Sequence, residues 1–195
     1  MIELYDRYSQ ESRDLHESLV ATGLSQLGVV IDADGFLPDG LVSPFTYYLG
    51  YEKGKPLYFN QVPVPAFWEI SGNNQSARIE DMTQERAVIH YADGMQARLV
   101  RQVDWKDLEG RVRQVDHYNR FGACFATTTF SADSEPVMTV YQDVNGQEIL
   151  LENHVTGDIL LILPSQSMRY FANKVEFITF FLQDLELDKH QIVFN

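Results

Sequence analysis

Apolar residues recur along this chain with two different periods. Up to about residue 50 the pattern mixes helix and strand. Ile2 to Tyr5 reads as a short strand, and Ser9 to Thr22 as a helix with Leu15, Leu19 and Val20 on one side and Gly23 placed to end it. Gly28-Val29-Val30-Ile31-Asp32 reads as a buried strand closed by the turn pair Asp34-Gly35. Strand, helix, strand predicts a βαβ opening and a parallel sheet.

From about residue 56 the period becomes two. Gln96 to Trp105 alternates, with Ala97, Leu99 and Arg101 to one side and Val100, Gln102 and Asp104 to the other. Arg111 to Tyr118, Ala126 to Phe130, Met138 to Val144 and Glu148 to Asn153 follow suit. Turn residues separate them: Asp93-Gly94, Glu109-Gly110, Phe121-Gly122, Ser134-Glu135-Pro136 and Asn145-Gly146. Asn-Gly between alternating runs is a strong hairpin signal, and runs at this spacing predict an antiparallel meander.

After residue 157 the first pattern returns. Asp158 to Leu163 is an apolar strand, Pro164-Ser165 opens a helix, and Met168, Phe171, Val175, Ile178 and Leu182 recur at helical spacing. Gln191 to Asn195 reads as a strand with no flank. A buried parallel strand needs neighbours on both sides, so the chain reads as a piece of a longer protein. The alternative is a complete small α+β protein whose last strand is an edge. The expected fold is α/β plus β. Residues 1–55 open a Rossmann-like lobe, 56–157 form a large inserted antiparallel sheet, and 158–195 return to the lobe.

Charge and chemistry narrow the function. Over 195 residues the net charge is −13, which repels nucleic-acid backbones and anionic lipid. The one cysteine, Cys124, allows no internal disulfide and suits a reducing cytoplasm. The first residues resemble no signal peptide, and no apolar run is long enough to span a bilayer. The junction Tyr5-Asp6-Arg7-Tyr8-Ser9 lacks the glycines that bring backbone against a pyrophosphate. His16, His90, His117, His154 and His190 show no metal-ligand spacing. No catalytic constellation, metal site or cofactor site is expected.

The β region holds both tryptophans, Trp68 and Trp105, among many other aromatics. One face of such a sheet packs on the body; the other meets a partner, or else the sheet folds over its own core. The runs Pro56-Leu57-Tyr58-Phe59-Asn60, Val62-Pro63-Val64-Pro65 and Phe67-Trp68-Glu69-Ile70-Ser71-Gly72-Asn73-Asn74-Gln75 carry a further signal. With Glu85-Arg86-Ala87, Val103-Asp104-Trp105 and Asp116-His117-Tyr118-Asn119, they resemble one family. It is that of the GtfB-type stabilising subunits of the accessory Sec glycosyltransferase pair in Gram-positive bacteria.

The resemblance implies a glycosyltransferase B architecture with an extended β-sheet domain in its first Rossmann lobe. It implies a non-catalytic subunit whose catalytic partner moves N-acetylglucosamine from UDP-N-acetylglucosamine to Ser and Thr of serine-rich-repeat adhesins, and which helps bind that acceptor. A cytoplasmic protein is expected from the single cysteine and the missing span, with peripheral attachment to the membrane through a partner left open. The alternative is a catalytic glycosyltransferase with the same β insert, of the wall-teichoic-acid type. Candidate partner and acceptor contacts are Trp68 and the three amides Asn73, Asn74 and Gln75, which are costly to bury unless they form a hydrogen-bonded turn. His117, Tyr118 and Asn119 form a second group, in which His117 is a polar anchor or a half-exposed strand histidine. Without its partner the chain is expected to form a two-fold dimer through open sheet edges.

Overall fold

The computed structural model describes residues 2–23, 27–92, 97–163 and 168–192. Its body opens as the βαβ pattern predicts. Strand β1 (Ile2–Tyr5), helix α1 (Gln10–Ala21) and strand β2 (Leu27–Val30) lead to a two-residue strand β3 (Leu41–Val42) and a short helix α2 (Pro44–Tyr47). β1, β2 and β3 form a parallel sheet in that order. Ser9 caps α1 reciprocally: its Oγ accepts the Ser12 N–H, and Ser12 Oγ accepts the Ser9 N–H at 2.7 Å. β3 and α2 are too short to leave a periodic trace in sequence.

The remaining strands make one antiparallel sheet of ten, paired in chain order. They are β4 (Trp68–Gly72), β5 (Ser76–Asp81), β6 (Gln84–Tyr91), β7 (Val100–Lys106), β8 (Val112–Tyr118), β9 (Cys124–Phe130), β10 (Pro136–Gln142), β11 (Glu148–Asn153), β12 (Ile159–Leu161) and β13 (Arg169–Phe171). The meander therefore begins at Trp68, well before the first alternating run. β12 and β13 continue it beyond residue 157. The turn expected at Asp93-Gly94 and the helix start at Pro164-Ser165 lie outside the described residues.

Strict alternation fails in β7, for a local reason. Tyr91 pairs with Val100 and His90 with Gln102, so Arg101 is an extra residue. That bulge turns Val100 onto the same face as Val103, and both are fully buried. The same device recurs just after later turns, at Arg113, Phe125, Val137 and Ile149, at twelve-residue intervals.

The helix expected from Pro164 starts later, at Lys174, and runs to Ile192 as α3. Phe171 fits helical spacing but is a strand residue paired with Ile159. Asn173 sets the helix start by accepting the Glu176 N–H at 3.0 Å. The strand expected from Gln191 is also corrected: Gln191 and Ile192 finish α3, and 193–195 lie outside the described residues.

The two faces of the sheet are covered at opposite halves. On one face, Ala77, Ile79, Ala87, Ile89, Val100 and Val103 lie under a strap that carries Leu57, Phe59, Val62 and Val64. On the other face, Ala126, Tyr141, Leu150, Ile159, Leu161 and Phe171 pack against Phe45 and Leu49 from α2 and its end, and Phe177 of α3. Helix α3 then reaches β2 through Phe181 and Leu185, which touch Val29. The β8–β9 turn locks sheet to body. A β-carbon on Gly122 would stand 2.3 Å from the Lys55 carbonyl oxygen, and one on Gly54 2.1 Å from that of Phe121. Both glycines hold positive φ, so no side chain fits there.

Candidate functional site

Two regions of the surface carry chemistry that packing does not explain. The first is a rim at the ends of β4 to β8 opposite the β8–β9 turn. The Trp68 N–H donates to the Pro65 carbonyl at 3.2 Å, closing a turn whose third residue, Phe67, has φ 72°. Glycine or asparagine is the usual occupant of that position. Here it presents a phenyl ring that is 98% exposed. Asp81 pairs with Gln84, so Met82 and Thr83 form a two-residue hairpin loop. Met82 has φ 57° and is 91% exposed, again where glycine is favoured.

These two tips are neighbours, because Trp68 pairs with Asp81. The Gln84 side chain donates to the Leu108 carbonyl at 2.8 Å, bringing the next turn alongside, and Leu108 is 67% exposed. Phe67, Met82 and Leu108 thus line one end of the sheet, the first two in backbone conformations that cost strain rather than relieve it.

The second region is a cavity of about 240 Å³ between body and sheet. It is lined by Asp32, Phe45 and Lys174 from the body and by His117, Thr128, Thr139, Tyr141, Glu152 and His154 from the sheet. Burial lowers the His117 pKa below its ordinary value and raises that of Tyr141 well above its own, with Glu152 beside the phenol adding to the rise.

The sequence-derived candidates separate across these regions. Trp68 starts the edge strand β4, half-buried under the strap, with the Arg86 guanidinium 5.2 Å from its ring centre. Asn73 Oδ1 accepts the backbone N–H groups of Gln75 and Ser76, so it forms the β4–β5 turn. Asn74 and Gln75 are exposed on that turn, where Asn74 accepts a 2.8 Å hydrogen bond from Arg98. On β8, four strands away, neighbouring residues point apart. His117 faces the cavity and meets Thr128 at 3.0 Å, whereas Tyr118 is buried in the strap-side core. Buried Asn119 accepts the N–H groups of Phe121 and Ala123 and shapes the joint. Cys124 is held as a thiol, its pKa pushed up to about 11 mainly by burial.

Comparison with known proteins relates the chain to a family. Residues 2–48 match the GtfB N-terminal domain and residues 68–172 the GtfB middle domain. The chain is 89% identical over all 195 residues to the UDP-N-acetylglucosamine–peptide N-acetylglucosaminyltransferase stabilizing protein GtfB of Streptococcus pneumoniae serotype 4, spanning 44% of that protein. It superposes with a TM-score of 0.91 and 52% identity on a chain of the GtfA/B complex bound to UDP and GlcNAc, covering 95% of this chain and 42% of that one. The pneumococcal O-GlcNAc transferase GtfA, at TM-score 0.64 and 12% identity, covered 95% and 41%, shares the fold alone. Among the described residues no helix is long and apolar enough to cross a membrane.

Proposed function

The chain belongs to the GtfB family, and on that premise we propose that it supplies the partner-docking part of a non-catalytic subunit that stabilises a protein O-glycosyltransferase. The partner is the catalytic subunit that adds N-acetylglucosamine to Ser and Thr of serine-rich-repeat adhesins. The body formed by 1–55 and α3 is the start of a Rossmann-like lobe of glycosyltransferase B type, and the sheet domain of 56–157, extended by β12 and β13, is its insert. One observation carries the docking assignment: Phe67 and Met82 hold left-handed backbone to expose large apolar side chains. A monomeric surface gains nothing from that arrangement, whereas an apolar partner surface does. The glycine-free turn after β1 supports a non-catalytic role, and UDP-N-acetylglucosamine titrated into this chain should give no heat.

Acceptor contact belongs to the exposed amides Asn74 and Gln75. Substituting both with Ala should weaken acceptor binding and leave the melting temperature nearly unchanged. Without its partner the chain pairs with itself through its edge strands, each of which has a sheet neighbour on one side only. The docking assignment is tested by titrating the full-length protein carrying Phe67→Gly and Met82→Gly with the catalytic subunit. Loss of two buried anchors should weaken binding by about a hundredfold. An unchanged affinity would remove the rim from the interface.

A further inference from the structure

The seam cavity lies at the carboxyl end of β2, where parallel sheets commonly receive ligands. Its lining sorts by chemistry. Phe45 and Tyr141, with ring centres 5.3 Å apart, form an apolar floor with Ala126. Asp32 and Glu152 bring two carboxylates. Lys174 Nζ stands 3.9 Å from Asp32 and 4.8 Å from the centre of the Phe45 ring. A hydrogen-bonded chain forms one wall: His117 Nε2 to Thr128 Oγ1 at 3.0 Å, Thr128 to Thr139 at 2.8 Å, and Thr139 to His154 Nε2 at 2.7 Å. Each threonine oxygen in that chain keeps a second lone pair.

We propose that this cavity binds a neutral, hydroxyl-rich ring the size of one monosaccharide. Asp32 and Glu152 accept its hydroxyls, Lys174 donates to a ring substituent, and the Phe45–Tyr141 floor covers its C–H face. Other ligand classes fit worse. Two carboxylates against one ammonium repel a phosphate. Among the described residues no group of His, Cys, Asp or Glu is placed to hold a metal ion. An apolar ligand would strip water from Asp32 and Glu152 without replacing its hydrogen bonds. At about 240 Å³ the space is below the roughly 300–1,000 Å³ of pockets for larger ligands, so one ring fills it.

The test uses the full-length protein, with methyl α-glucopyranoside, methyl β-galactopyranoside and N-acetylglucosamine as neutral probes and inorganic phosphate as the anion. Ligand-observed NMR and calorimetric titration should show millimolar binding of at least one neutral sugar and none of phosphate. Glu152→Gln keeps an acceptor for the Tyr141 hydroxyl, and Lys174→Met keeps the stem over Phe45, so both variants should fold. Each should weaken the sugar about tenfold, the scale of one charge-assisted hydrogen bond. Binding of the catalytic subunit should be untouched in both, which separates this site from the rim. No neutral sugar bound, phosphate bound in preference, or sugar bound equally well by both variants would each overturn the proposal.

Discussion

Phe67 and Met82 sit in backbone that costs a residue with a β-carbon about 1–2 kcal/mol relative to its relaxed conformation. Their side chains reach into solvent, so truncation removes little packing. Each change to glycine should therefore leave stability level or raise it by about 1 kcal/mol, read by urea unfolding of the isolated chain. A loss of that size would mean that these side chains pack on the protein itself. Asn119 is the opposite case, a buried side chain with two backbone donors behind it. Asn119→Ala should cost about 1–3 kcal/mol by the same measurement.

Two histidines respond to pH in opposite senses. The hydrogen bond that His90 Nε2 donates to Asp104 at 2.8 Å raises the His90 pKa above its ordinary 6.5. The stability that it adds is fully present below pH 6.5 and is lost as pH rises through the folded value. Burial lowers His117, whose contribution is present above 6.5 and fades as pH falls through its folded value. The melting difference between the native chain and His90→Asn should be widest on the acid side and should shrink as pH rises above 6.5 through the folded value. A gap that grows with pH would contradict the assignment. At this scale Asn73-Asn74-Gln75 could be picked out by residue type, but which amide makes the turn depends on the Ser76 backbone and could not be read locally.

At the scale of elements, hairpins were legible at Glu109-Gly110, Phe121-Gly122 and Asn145-Gly146, where glycine marks the turn. Bulges were not. Arg101 is an extra residue only relative to β6, and nothing in its own run reveals the pairing. The segment around Phe171 satisfied helical spacing because one apolar residue serves a two-residue and a 3.6-residue period equally over so short a stretch. Asn173, the residue that starts α3, was the available signal. The joint makes a sharper demand. Gly122 holds φ 85° with the Lys55 carbonyl against it, so Gly122→Ala should cost about 2 kcal/mol or more. Chemical unfolding checks this, and a cost under about 0.5 kcal/mol would mean that the turn is not clamped.

Over the whole molecule, the strap from the joint to Phe67 and the helices α2 and α3 cover opposite faces at opposite ends of the sheet. Composition and alternation predicted a two-faced sheet; they could not say which half each cover takes, because that is decided by chain segments far apart in sequence. The arrangement leaves the Phe67–Met82–Leu108 rim beyond the strap, on the end of the sheet opposite the joint. Hydrogen–deuterium exchange of the full-length protein, with and without the catalytic subunit, reads the docking surface directly. The rim predicts that protection on complex formation concentrates at residues 66–68, 81–84 and 107–110. Protection confined to the opposite turns, at 73–75 and 143–147, with the rim exchanging freely, would contradict it.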